Sequence, residues 1–166
     1  MAQPDKFQVV SRLKANNKIP VTKYRSARTG LTVTVAQVDG PVVNGYFCLA
    51  TEAHDDDGLP HTLEHLIFLG SELYPYKGVL DLLANRCLSS GTNAWTDTDH
   101  TCYTMTTAGS QGFLNLLPIY LDHILYPTIT PEGKSDLFFI PQKKVFILFI
   151  SSLISSSPNY FSFQIK

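Results

Sequence analysis

Two kinds of apolar spacing alternate along this chain, and together they set its order of elements. Leu31-Thr32-Val33-Thr34-Val35-Ala36 has the period-2 pattern of a half-buried strand built from β-formers. Asp39-Gly40 supplies a turn, and 42–51 reads as a second strand paired with the first. A helix is expected over 59–69. Pro60 opens it, where a missing N–H costs nothing, and Gly70 stands just past its end. Tyr74-Pro75-Tyr76-Lys77-Gly78 interrupts the helical spacing, and Val79, Leu80, Leu82, Leu83 and Cys87 then predict a helix over 78–88. Residues 89–106, rich in Thr and aromatic residues around Asp97-Thr98-Asp99, read as strand, turn and strand. A third helix over 109–126 carries Phe113, Leu116, Leu117, Tyr120, Leu121, Ile124 and Leu125 on one stripe. Pro118, in or near its first half, is expected to bend it.

This order, ββα–α–ββ–α, predicts an α+β fold: an antiparallel sheet with helices packed on one face. Residues 1–30 are polar and mixed and read as an N-terminal arm, with the domain proper over 31–132. From 133 to 166 the character changes to an apolar, Phe/Ile/Ser-rich tail without a clear period, unlike the rest of the domain. Its longest apolar run, 145–150, is far below the roughly 20 residues that span a bilayer, so no membrane span is expected. Such a run would promote aggregation if exposed. There is no internal repeat.

Composition narrows the picture. A chain of 166 residues is long enough for one domain with a real core. A formal net charge of -1 gives no electrostatic reason to expect nucleic acid or an anionic membrane as partner. Cys48, Cys87 and Cys102 form no C-x-x-C pair, which favours a reducing compartment and buried, inert thiols. The first fourteen residues hold no apolar signal core, and Asp5 with the neighbouring lysines fits an Arg-rich mitochondrial presequence badly. Cytosol is the default and mitochondrion the alternative.

Chemistry concentrates in His61-Thr62-Leu63-Glu64-His65. Positions i and i+4 of a helix stack on one face, so two neutral imidazoles there can share one Zn²⁺. Glu64, three residues after His61, reaches the same face and suits a general base acting on water. The order His-x-x-Glu-His is the inverted zinc-protease signature, and this chain's own composition would produce it about 0.004 times by chance. Leu63, Leu66 and Ile67 point away from that face, giving the helix a core side and a chemistry side. The acidic run Asp55-Asp56-Asp57 reads as a solvated loop complementing the helix dipole, in preference to a second metal site.

Gly58-Leu59-Pro60-His61-Thr62-Leu63-Glu64-His65, with Phe68-Leu69-Gly70-Ser71, resembles the zinc segment of the pitrilysin family. These are the inverzincins that include insulin-degrading enzyme and presequence protease. Downstream, Gly91-Thr92-Asn93-Ala94-Trp95-Thr96-Asp97-Thr98-Asp99-His100-Thr101-Cys102-Tyr103 resembles that family's Asn-Ala-x-Thr strand. The similarity covers roughly residues 5–132 and is strongest to presequence-protease-like members. It implies a zinc metalloendopeptidase in which His61 and His65 bind Zn²⁺ and Glu64 is the catalytic base. Asn93, Ala94 and Trp95 would line a cleft that takes peptide substrates as an added strand. The chain departs from the family in lacking a match to its third ligand, a downstream glutamate. After Asp99 the carboxylates are Asp122, Glu132 and Asp136, and Gln142 is a poor substitute. No second homologous half follows, so the sequence reads as a truncated form. The competing expectation is a catalytically inactive form, or a metal-binding or interaction module. A third, weaker one is a peripheral membrane protein docked through 145–154.

Overall fold

In a computed structural model, residues 6–51, 55, 57–128 and 146–151 of the chain are described, and they form an α+β fold. The strands are β1 (Phe7–Ala15), β2 (Ile19–Ser26), β3 (Thr32–Ala36), β4 (Val42–Ala50), β5 (Ser89–Thr96), β6 (His100–Ala108) and β7 (Phe146–Ser151). The helices are α1 (Leu59–Leu66), running into a 3₁₀ turn at Ile67–Leu69, α2 (Val79–Arg86) and α3 (Ser110–Leu125). One sheet has the order β1-β2-β3-β7-β4-β6-β5, with every pairing antiparallel except that of β7 with β3.

Three expectations are corrected. Residues 7–26 are not an arm but a hairpin that extends the sheet. Its turn rests on Asn16 and Asn17 at φ 50° and 57°, closed by Lys18 N–H donating to the Ala15 carbonyl over 3.0 Å. Asparagine tolerates that left-handed region, so the turn was readable. The strand was not, because β1 is exposed on both faces between Phe7 and Ala15 and shows no alternation. Second, β4 does not pair with β3, because β7 lies between them, parallel to β3 and antiparallel to β4. Third, 146–151 of the tail belongs to the middle of the sheet, paired with β3 on one edge and β4 on the other. The rest of the tail lies outside the described residues.

All three helices cover one face. On α3, Phe113, Leu116, Leu117, Tyr120, Leu121 and Ile124 are buried against Val33, Val35, Val43, Phe47, Tyr103 and Met105 of the sheet. Tyr120 stacks at a tilt on Phe47, centroids 5.1 Å apart, and its hydroxyl donates to the Thr104 carbonyl over 2.8 Å. Burial holds that phenol protonated, its pKa raised above the ordinary value. Two glycines permit the close packing. A Cβ on Gly45 of β4 would lie 2.7 Å from the Phe113 ring, and one on Gly112 would lie 2.4 Å from the Cys87 carbonyl oxygen. Pro118 sits inside α3 with its ring exposed, on the side of the helix away from the core.

Candidate metal centre

The helix α1 begins after Gly58, whose φ of 70° supplies the left-handed entry, and has Pro60 in its first turn. Thr62 reinforces the start, its N–H and its hydroxyl both donating to the Gly58 carbonyl. The helix leans on β5 and β6. Ile67 is buried in the core and Leu63 packs partly against it, while His61 and His65 stand exposed. Glu64 is only 7 % exposed, turned toward β5 instead of solvent.

The two imidazoles converge. Their Nε2 atoms are 3.1 Å apart, with ring centroids at 4.9 Å and planes inclined by 44°. Tetrahedral zinc with Zn–N of about 2.0–2.1 Å places two nitrogen ligands about 3.3 Å apart, close to this spacing. One ligand atom from each of His61, Glu64 and His65 lies within 4.8 Å of the others. The donor set, two imidazoles beside a carboxylate, suits zinc, so the residues present fit the ion. No other group of three such side chains occurs among the described residues. Asp122 is engaged elsewhere, its Oδ2 accepting from the Leu73 N–H over 3.1 Å. Glu132, Asp136 and Gln142 lie outside the described residues.

Glu64 is held from below. The hydroxyl of Thr96, on β5, donates to its Oε2 over 2.5 Å. Thr96 also approaches Thr101 at 3.5 Å, and Thr101 contacts Thr51 at 3.0 Å, so hydroxyls from both sides of β6 line the base of the site. Burial, and after it the negative charge of Glu64, pushes the Tyr103 phenol above its ordinary pKa. Thr96 is the residue that sequence reasoning missed. It stands within the quoted Asn-Ala-x-Thr pattern, but its partner is 32 positions away.

β5 is an edge strand. The Asp97 N–H donates to the His100 carbonyl over 2.8 Å, which fixes the phase of the β5–β6 ladder. Asn93 and Trp95, opposite Thr104 and Cys102, therefore turn their backbone groups toward β6, and Ala94 turns its N–H and C=O outward. The Ala94 N–H is capped by Asn93 Oδ1 at 3.0 Å. Side chains alternate the other way: Ala94 and Thr96 face the helices, while Asn93 and Trp95 lie on the opposite face. Trp95, 41 % exposed, directs its indole N–H at His100 Nε2, 3.4 Å away, with the rings edge to face. His100 hydrogen-bonds Asp99 at 2.6 Å, which, ahead of burial, holds the exposed Asp99 carboxyl below its ordinary range. Thus His61, Glu64 and His65 come together, Ala94 on β5 turns its backbone groups away from β6 with its N–H engaged by Asn93 Oδ1, and Trp95 lies on the opposite face of the sheet.

A metal-capable helix laid over the edge of an α+β sheet defines a class that comparison makes specific. Residues 50–136 match the family described as Insulinase (Peptidase family M16). The chain belongs to that family. An uncharacterized protein of Caenorhabditis elegans is 58% identical over 115 residues, 69% of this chain and 12% of that protein. The mitochondrial presequence protease of Gibberella zeae is 43% identical over 86 residues, 52% of this chain and 8% of that protein. A crystal structure of pitrilysin superposes with TM-score 0.67 at 17% identity, covering 79% of this chain and 14% of that one, which shows the fold. The chain therefore spans about an eighth of the length of the first of these relatives.

Proposed function

We propose that this chain carries the zinc half-site and catalytic base of a metalloendopeptidase that hydrolyses peptides. The convergence of the His61 and His65 Nε2 atoms beside the buried carboxylate of Glu64 carries the reading. Both imidazoles would hold Zn²⁺ through Nε2. Zinc bound there would supply Lewis acidity toward a scissile carbonyl and acidify an attacking water. Glu64 takes the proton of that water on its carboxylate and returns it to the departing amine nitrogen. Thr96 keeps the carboxylate aimed at the reacting atoms. A substrate peptide pairs with the outward backbone groups of Ala94 once Asn93 Oδ1 leaves the Ala94 N–H, and backbone pairing tolerates many sequences. Asn93 and Trp95 flank that edge. The reading places the protein in the cytosol, with the mitochondrion as the alternative that the name of the Gibberella zeae relative supports. Nucleic acid is no partner in it, and no described helix is long and apolar enough to cross a membrane.

The test is Glu64→Gln in a full-length relative bearing the same motif, assayed on a fluorogenic peptide. Turnover should fall about 10²- to 10⁴-fold with zinc content unchanged; undiminished turnover would contradict the mechanism. A second reading, an inactive metal-binding or interaction module that pairs with another half, is favoured by a specific observation. Among the described residues the site offers two imidazoles and no third ligand beyond Glu64, which Thr96 already engages. Catalytic zinc sites normally use three protein ligands. On this reading these 166 residues alone bind zinc weakly and hydrolyse nothing. Peptide turnover by the isolated chain, abolished by Glu64→Gln, would remove it.

A further inference from the structure

On the sheet face opposite the helices, two cysteines meet. Cys48 of β4 stands directly across from Cys102 of β6 in an unbroken antiparallel register. The ladder's phase is fixed at both ends. The Thr51 N–H donates to the Asp99 carbonyl over 3.1 Å, and the Gly109 N–H donates to the Pro41 carbonyl over 2.8 Å. Hydrogen-bonded pairs therefore fall at odd positions of β4, and Cys48–Cys102 is a non-hydrogen-bonded pair. Such pairs bring Cα atoms to about 4.5 Å and side chains closest together. That lies within the Cα separations, about 4.4–6.8 Å, that a disulfide bridges. Both thiols are free, Cys102 is fully buried and Cys48 is half-buried.

We infer that Cys48 and Cys102 form a reversible disulfide, a covalent modification site that ties β4 to β6 when the protein meets a peroxide. Cys48, the thiol with access to solvent, is the entry point. Its sulfur attacks one peroxide oxygen, the O–O bond breaks, and water leaves with a sulfenic acid on Cys48. The Cys102 sulfur then attacks the Cys48 sulfur. The S–S bond forms as the S–O bond breaks, and the departing hydroxide takes the Cys102 proton as water. Two thiols lose two electrons in all, and one peroxide becomes two waters. Burial raises the Cys102 thiol above its ordinary range, with the Cys48 contact adding to the effect, which suits Cys102 to resolving rather than initiating. Cys87, at the end of α2, packs against the core on the helix side and has no place in the pair.

The fold supplies its own reporter. Trp95, the chain's one tryptophan, is the β5 register partner of Cys102, so a disulfide there lies beside its indole. The whole chain is treated with hydrogen peroxide, remaining thiols are alkylated, and peptides are mapped. The expected results are an intact mass lowered by two hydrogens, a Cys48–Cys102 cross-linked peptide with Cys87 alkylated, and Trp95 emission that falls and is restored by dithiothreitol. Cys48→Ser should remain folded and lose both the cross-link and the emission change, while Cys87→Ser should retain them. Alkylation of both Cys48 and Cys102 after peroxide, or a disulfide formed only through Cys87 or between chains, would overturn the inference.

Discussion

At the residue scale, the site depends on how Glu64 is held as much as on the histidines. A buried carboxylate needs donors, and Thr96 provides one from a different element. Thr96→Val keeps the shape and removes the hydroxyl. It should destabilise the chain by about 1–3 kcal/mol, read as a lower urea midpoint at unchanged slope. An unshifted midpoint would show that the hydrogen bond contributes nothing. The convergence of His61 and His65 was legible in the sequence because their spacing is local, four residues on one helix. Thr96 was not, since nothing in a linear pattern says which strand a carboxylate will face. Trp95 shows the converse. Its place in a strand was readable, but its orientation depends on the phase of the β5–β6 ladder, which the Asp97–His100 turn sets. His123 shows how little a lone histidine signals. Fully buried in α3, it donates from Nδ1 to the Ile119 carbonyl, stacks on Tyr74, and leaves Nε2 without a hydrogen-bond partner among the described residues.

At the element scale, α1, α2, α3, β5 and β6 fall close to where the spacing of apolar residues puts them, because each buries one face against the same core. The α3–β4 contact turns on Gly45. Gly45→Ala drives a methyl into the Phe113 ring and should cost about 1–3 kcal/mol, partly recovered by adding Phe113→Leu. Gly112→Ala should cost more, since the obstructing atom is the backbone carbonyl of Cys87, which cannot rotate aside. Urea unfolding of the single and double variants checks both. Purely additive effects at Gly45 and Phe113 would contradict the packing account. The hairpin β1–β2 escaped the pattern for a clear reason: a strand exposed on both faces has no alternation to read, and only Asn16-Asn17 marked it.

At the scale of the whole molecule, the sheet is held together by β7. It gives β3 and β4 their shared neighbour, with Leu148 opposite both Val33 and Phe47. Pairing over this sequence distance leaves no local trace, so an apolar tail and an interior strand look alike in sequence. Leu148→Pro removes a ladder donor from an interior strand, a position that proline does not tolerate. Hydrogen exchange should then show protection lost together in β3 and β4 and retained in the β5–β6 hairpin. Unchanged protection in β3 and β4 would exclude β7 as their link. The proposed peptidase chemistry depends on zinc held by one helix. Equilibrium dialysis against Zn²⁺ at neutral pH should show uptake by the chain and by its Glu64→Gln variant, and its loss in the His61→Ala/His65→Ala variant. Equal uptake by that double variant, or none by the folded parent chain, would contradict it.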